Sequence, residues 1–198
     1  GENIMPVRQK MKRTQEIDME KPHGRDLFQT PRYATDLLIS FIPKQVSFIW
    51  ECASGEGRIA EQLELAGYLV KQSDLRYRTG LLEANFLHEH PFSLNQTCAI
   101  ITNPPFSLKK QFYDRCIYFG VPFALLIPTD YCGWIIRAIQ DGAEKIIPTR
   151  RIDYITPSGL SGASGHSANF HSMWLTKGFN LGRTETFVEL TKEMKENI

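Results

Sequence analysis

The tetrapeptide Asn103-Pro104-Pro105-Phe106 restricts the fold more than any other feature of the chain, because it directly follows the largely apolar run at residues 98–102. A short apolar run of this kind is consistent with a buried β-strand. Two consecutive prolines fix φ and remove two backbone N–H donors, so the strand must end there. In open α/β sheets, ligands bind just beyond the carboxyl ends of the strands. The sequence therefore predicts a rigid polar turn, followed by an aromatic ring, at the edge of the sheet where the strands have their carboxyl ends.

Segments typical of strands and of helices alternate along most of the chain. This alternation predicts βαβ units and a parallel sheet that is buried on both faces. Residues 145–148 and 172–176 have no clear helix between them, so we expect these two strands to pair antiparallel at one edge. The predicted strands are 46–51, 68–73, 99–102, 123–127, 145–148 and 172–176, and the predicted helices are 34–41, 58–66, 108–119 and 134–139.

The composition is that of a soluble globular protein: of 198 residues, 42% are hydrophobic and 23% are charged, with a net charge of +1. We expect one domain at 25–190 that includes a Gly/Ser loop at 156–168, preceded by a flexible basic arm at 1–24 and followed by a tail at 191–198. The four cysteines form no CxxC pair and the five histidines show no metal-ligand spacing with them, so we expect reduced thiols and no metal site. No apolar stretch approaches membrane-spanning length, which favours an intracellular, cytoplasmic location.

A glycine-containing turn follows the first predicted strand. Gly55 and Gly57 let the backbone turn tightly and let a ligand approach it, and Ala60 permits close helix packing. Asp74 follows 19 residues after Gly55, at the end of the next predicted strand, where a carboxylate can accept both hydroxyls of a ribose. This pattern fits S-adenosylmethionine and a dinucleotide equally well. For Asp74 the simpler alternative is an Asp that forms a turn after a strand.

The side chain of Asn103, the carbonyl of Pro104 and the ring of Phe106 together suit a planar group that carries an NH2, such as a nucleobase. A simple turn is the alternative for Asn-Pro-Pro alone. The tetrapeptide resembles the catalytic motif of methyltransferases that modify exocyclic amines, chiefly the DNA adenine-N6 family. Residues 28–33, Phe-Gln-Thr-Pro-Arg-Tyr, resemble the N-terminal motif of the same family, and Glu51 stands where the family keeps an acid. The chain looks most like the compact phage and prophage members.

The resemblance implies an α/β, Rossmann-like class I methyltransferase fold: a mostly parallel seven-stranded sheet with one antiparallel edge hairpin and helices on both faces. It implies S-adenosyl-L-methionine as cofactor and adenine N6 in DNA as target, with the base extruded into the pocket and stacked on Phe106. Asn85 replaces the acid that many members place against the cofactor adenine. The implied catalytic residues are Asn103, Pro104, Pro105 and Phe106, and the implied cofactor-binding residues are Phe28, Thr30, Pro31, Tyr33, Glu51, Ala53, Gly55, Gly57, Asp74, Asn85, Phe86 and Asn103.

Several alternatives stay open at this point. RNA adenine and a protein glutamine are substrates of families that share Asn-Pro-Pro-aromatic, although Phe106 favours a nucleobase. A non-catalytic binding module with the same fold is a further alternative. Larger DNA methyltransferases carry a separate target-recognition region, and the loop at 156–168 is too short to be one. We therefore expect loose sequence specificity, a homodimer or a separate recognition partner.

Overall fold

An eight-stranded sheet forms the centre of the molecule in a computed structural model that describes residues 24–76, 81–157, 159–160 and 170–198. Two further short strands, β7 (Ile155–Thr156) and β8 (Gly159–Leu160), pair as a separate antiparallel ribbon. The central strands are β1 (Phe48–Glu51), β2 (Leu69–Asp74), β3 (Leu82–Glu83), β4 (Cys98–Thr102), β5 (Phe123–Pro128), β6 (Glu144–Pro148), β9 (Ser172–Lys177) and β10 (Glu185–Val188).

The strand order is β3-β2-β1-β4-β5-β9-β6-β10, and every neighbouring pair is parallel except those that involve β9. β9 runs antiparallel to both β5 and β6. The predicted fold class, an α/β, Rossmann-like fold with a mostly parallel sheet, is confirmed by this arrangement. The predicted antiparallel pairing of the strands near 145–148 and 172–176 is confirmed as well.

Two details of the sheet differ from the sequence prediction. The described residues form eight strands rather than seven, and the antiparallel strand β9 lies inside the sheet rather than at its edge. β9 lies inside the sheet because it pairs with β5 on one side and with β6 on the other. β10 adds a strand beyond β6, with which it pairs in parallel. All four residues of β10 are partly or fully exposed, so this strand lacks the apolar pattern that marks β4 and β5 in the sequence.

Helices cover both faces of the sheet, as predicted. The alternation of side chains along each strand sends Ile49 to one hydrophobic core and Trp50 to the other. The first core contains residues of α1 and α2, and the second contains residues of α3 and α4. The helices are α1 (Arg32–Ile39), α2 (Arg58–Leu65), α3 (Lys109–Phe119) and α4 (Gly133–Gln140).

The C-terminal residues pack on the first turn of α1. The backbone carbonyl of Asn197 accepts a hydrogen bond from the Tyr33 N–H at 3.1 Å, and the carbonyl of Ile198 accepts one from the Arg32 guanidinium at 3.2 Å. Pro31, which precedes α1, makes no side-chain cap, so the carbonyl of Asn197 satisfies an N–H group that the helix itself leaves unpaired. Residues 191–198, predicted as a tail, thus support the helix that follows residues 28–31.

The predicted basic arm at 1–24 lies outside the described residues, apart from Gly24, as does most of the Gly/Ser loop at 156–168. In the described part of the chain, no helix is long and apolar enough to cross a membrane.

Trp174 of β9 joins the sheet to α1. Its ring is completely buried, and its indole N–H donates a hydrogen bond to the Ala34 carbonyl at 2.9 Å. We predict that Trp174→Phe lowers the free energy of unfolding by about 1–3 kcal/mol, because the smaller ring leaves space and removes the donor. Urea unfolding followed by circular dichroism measures this loss. Trp134→Phe, at a partly buried position on α4, is the matched control, and an equal loss in both variants would contradict the assigned role of Trp174.

Candidate active site

A cavity of about 830 Å³ opens beside the carboxyl ends of β1, β2 and β4. Ligand pockets typically have volumes of roughly 300–1,000 Å³. The location is the one predicted, because the segments that follow parallel strands meet at the same edge of the sheet. Of the predicted site residues, those that line this cavity are Phe28, Thr30, Ala53, Gly55, Asp74, Asn85, Phe86, Asn103 and Pro105.

The glycine loop, residues 52–57, connects β1 to α2 and packs closely on its neighbours. Gly55 and Gly57 both have positive φ, at 55° and 79°, which favours glycine. A Cβ on Gly55 would lie 2.6 Å from Oε1 of Gln29, and one on Gly57 would lie 3.0 Å from Oε1 of Gln72. Gly55 reaches the cavity wall, whereas Gly57 caps α2 behind it. The positive φ values therefore favour glycine at both positions, and the missing side chains let the ends of Gln29 and Gln72 pack against the loop.

The Asp74 carboxylate lies at the end of β2 and faces this loop. Its Oδ2 accepts a hydrogen bond from the Gly55 N–H at 2.8 Å, and its Oδ1 accepts one from the Arg76 N–H at 2.9 Å. An ionised carboxylate offers about four lone-pair positions, so both oxygens can accept further hydrogen bonds. Asp74 thus fixes the glycine loop while it keeps acceptor capacity toward the cavity.

Asn85 and Phe86 form another wall of the cavity. The Asn85 side-chain carbonyl accepts a hydrogen bond from the Leu87 N–H at 3.1 Å, which fixes the turn at 85–88. Phe86 is buried, and Arg115 of α3 donates from Nε to its backbone carbonyl at 3.1 Å. The Arg115 guanidinium lies 4.9 Å from the centre of the Tyr118 ring, a cation–π contact. Arg115 was not identified from the sequence, since one arginine within an amphipathic helix carries no distinctive signal.

The Asn103 side chain is held in one orientation at the end of β4. Its Nδ2 donates to the Thr30 hydroxyl at 3.1 Å and to the backbone carbonyl of Phe28 at 3.3 Å. A backbone carbonyl can only accept a hydrogen bond, so the amide must turn its NH2 group toward it. The other atom of the amide, Oδ1, is buried and has no hydrogen-bond partner among the described residues. An acceptor is thus positioned beside the cavity without a donor.

Glu51 lies at the end of β1, fully buried. Its Oε1 accepts hydrogen bonds from the Thr102 hydroxyl and from the Ala53 N–H, the latter at 3.3 Å, and its Oε2 has no partner among the described residues. Burial raises the pKa of Glu51 from its ordinary 4.5 to about 8, and the two hydrogen bonds only partly oppose this shift. The carboxyl group is therefore mostly protonated at neutral pH.

Of the three residues that follow Asn103, only Pro105 lines the cavity. Pro104 is buried, and the Pro105 carbonyl accepts a hydrogen bond from the Leu108 N–H at 2.8 Å. The Phe106 ring packs edge to face with three other rings, with centroids 6.5 Å from Phe28, 5.9 Å from Tyr154 and 5.6 Å from Phe170. We call these four rings the aromatic cluster.

Tyr33 lies in the first turn of α1. It is buried, its hydroxyl accepts a hydrogen bond from the Asp153 N–H at 2.7 Å, and burial raises its pKa well above the ordinary value. Pro31, Tyr33, Glu51, Gly57, Pro104 and Phe106 are not among the residues that line the cavity.

No protein-family model matches this chain, and no curated protein is significantly similar to it in sequence. Among solved structures, it is similar to the crystal structure of the 23S rRNA methyltransferase ErmE, with 11% sequence identity and a TM-score of 0.48. The match covers 85% of this chain and 74% of that chain.

The raised pKa of Glu51 predicts a pH-dependent stability. Between pH 4.5 and about 8 the unfolded chain releases the Glu51 proton while the folded chain retains it. The unfolded state is therefore favoured more as the pH rises. The contribution of Glu51 to the free energy of unfolding falls by about 1.4 kcal/mol per pH unit and levels off above pH 8. Glu51→Gln cannot ionise and should lack this component.

Urea unfolding of the wild type and Glu51→Gln at intervals from pH 4.5 to 9 measures the difference. We expect the wild type to lose stability relative to the variant across that window. A difference that stays constant with pH would show that Glu51 ionises normally in the folded protein.

Proposed function

We propose that this protein is an S-adenosylmethionine-dependent methyltransferase that acts on the exocyclic N6 amine of adenine in DNA. The observation that carries the proposal is the orientation of the Asn103 amide. Its NH2 group is held by Phe28 and Thr30, and its buried Oδ1 has no partner among the described residues. Burying an acceptor without a donor is unfavourable, so an unpaired acceptor on a residue that lines the cavity supports a ligand that supplies the donor. An exocyclic amine is a donor of this kind.

The residues of the cavity fit the proposed cofactor. A carboxylate with spare acceptor capacity, Asp74, suits the two hydroxyls of a ribose. Gly55 lines the cavity without a side chain, so a ligand can approach its backbone closely. Asn85 and Phe86, held by Arg115, offer a wall for a flat ring. When bound, S-adenosylmethionine supplies an electrophilic methyl group on a sulfonium.

The chain's own contribution to the reaction is to position the amine. We assign to Asn103 Oδ1 and to the Pro104 carbonyl the two N–H groups of the target. Hydrogen bonds from both N–H groups draw the nitrogen lone pair out of conjugation with the ring, which makes the nitrogen a better nucleophile. Alignment of reacting groups is a large source of rate acceleration in enzymes. The aromatic cluster fixes the plane of Phe106, the ring to which we assign stacking on the target base.

Transfer of a labelled methyl group from S-adenosylmethionine to DNA, RNA and protein acceptors, assayed in parallel, tests this proposal. Label in DNA is the expected result. Label only in RNA would change the substrate and keep the chemistry, and label only in protein would contradict the nucleobase assignment. Absence of cofactor binding in calorimetry would contradict the proposal altogether.

Asn103→Ala should reduce methyl transfer by about 100-fold or more, in the range seen when one positioned hydrogen-bonding group is removed from an active site. Cofactor affinity should stay within about threefold of the wild type, because Asn103 acts on the target amine. Single-turnover transfer and calorimetry measure the two effects separately. Substantial residual transfer would contradict the role of Asn103.

Thr30 provides a more specific test of the amide orientation. Thr30→Val removes one of the two acceptors of the Asn103 NH2 group while it preserves the side-chain volume, and we expect transfer to fall by about fivefold to tenfold. Thr30→Ser keeps the hydroxyl and should stay near the wild-type rate. Equal activity in both variants would show that this hydrogen bond does not orient Asn103.

A further inference from the structure

The segment at residues 28–30 contacts three parts of the molecule at once. As described above, Phe28 and Thr30 hold the Asn103 amide. Between them, Gln29 directs its side chain to the glycine loop, where Oε1 accepts a hydrogen bond from the Glu56 N–H at 3.0 Å. The Gln29 N–H donates a hydrogen bond to the carbonyl of Ile155 in β7 at 2.8 Å, and the Ile155 N–H donates one to the Gln29 carbonyl at 3.0 Å. One residue thus connects the glycine loop with β7.

The side chain of Gln29 also packs directly against the loop. The position that a Cβ would take on Gly55 lies 2.6 Å from Gln29 Oε1, 3.1 Å from Nε2 and 3.3 Å from Cδ. On its other side, the Gly55 N–H is held by Asp74 at 2.8 Å. The backbone of Gly55 and Glu56 is therefore held from both sides, by Gln29 and by Asp74, and all of these residues except Glu56 line the cavity.

We propose that Gln29 is a positioning residue that sets the conformation of the glycine loop for the cofactor and couples it to the segment that orients Asn103. The inference rests on the proposed function, since the cofactor is the ligand of this loop. Gln29 has no assigned part in the transfer itself. Its effect passes through Glu56 and Gly55, so it acts first on cofactor affinity.

Two substitutions of similar size separate a positioning role from simple packing. Gln29→Leu keeps the approximate volume and removes the acceptor, so we expect the Kd for S-adenosylhomocysteine to rise about fivefold, the equivalent of one hydrogen bond of about 1 kcal/mol. Gln29→Glu keeps the acceptor for the Glu56 N–H but loses the amide donor that faces the Leu27 carbonyl at 3.5 Å, so its Kd should fall between those of Gln29→Leu and the wild type. Gln140→Leu, the same change at the exposed end of α4, is the control and should leave the Kd unchanged.

Calorimetry separates a failure of the proposed function from a failure of the role proposed for Gln29. If the wild type binds no S-adenosylhomocysteine, the proposed function fails. If the wild type binds it and Gln29→Leu binds it equally well, or if Gln29→Glu is as weak as Gln29→Leu, the positioning role of Gln29 is overturned.

A second readout needs no cofactor. The Glu56 amide should exchange with solvent more slowly in the wild type and Gln29→Glu than in Gln29→Leu, measured by nuclear magnetic resonance on the free protein. Equal exchange in all three proteins would contradict the hydrogen bond on which the inference depends.

A double-mutant cycle with Gly55→Ala tests the coupling within the loop. The added methyl group must displace Gln29 and break its hydrogen bond to Glu56, so Gly55→Ala already removes what Gln29→Leu removes. We therefore expect Gln29→Leu to weaken binding less than twofold in the Gly55→Ala background, against fivefold in the wild type. Fully additive effects would show that the two residues act independently.

Discussion

The geometry of the candidate site depends on how the Asn103 amide is held. The end of β4 brings Asn103 to the edge of the sheet, and the two prolines that follow prevent the strand from continuing past it. The carbonyl of Phe28 then fixes which way the amide faces, because a carbonyl accepts only from the NH2 group. The same three-residue segment holds the glycine loop through Gln29 and joins β7 through its backbone. The N-terminal motif, the glycine loop and the Asn-Pro-Pro-Phe tetrapeptide are far apart in sequence, yet they form one hydrogen-bonded unit.

Burial accounts for the raised pKa of Glu51, the second polar side chain at this edge of the sheet. Glu51 occupies a position as enclosed as a core leucine, and its pKa is raised because water is excluded from the charged form. A protonated carboxyl group there is an uncharged partner for Thr102 and Ala53 rather than a source of negative charge. Negative charge on the cavity wall is instead carried by residues such as Asp74, which also holds the glycine loop.

Much of the fold was predictable, because the strands that form the centre of the sheet are continuous apolar runs and the helices between them have regular apolar faces. β10 was not, since it is four residues long, lies at an edge and fully buries none of its side chains. In the site, local motifs predicted that Asn103, Gly55 and Asp74 would meet at one cavity, as they do. The hydrogen bond of Gln29 to the glycine loop and that of Arg115 to the turn at 85–88 could not be predicted, because they join residues 27 and 29 positions apart in the chain. The packing of Phe106 and Glu51, which do not line the cavity, likewise depends on tertiary contacts.

Identification of the modified nucleoside would test the central claim most directly. Unmodified DNA would be incubated with the purified protein and S-adenosylmethionine, digested to nucleosides and analysed by mass spectrometry. N6-methyldeoxyadenosine is the product expected if Asn103 presents an acceptor to an exocyclic adenine amine. A methyl group on a ring carbon, such as C5 of cytosine, would contradict the account, because that position carries no amine for the Asn103 carbonyl to hold.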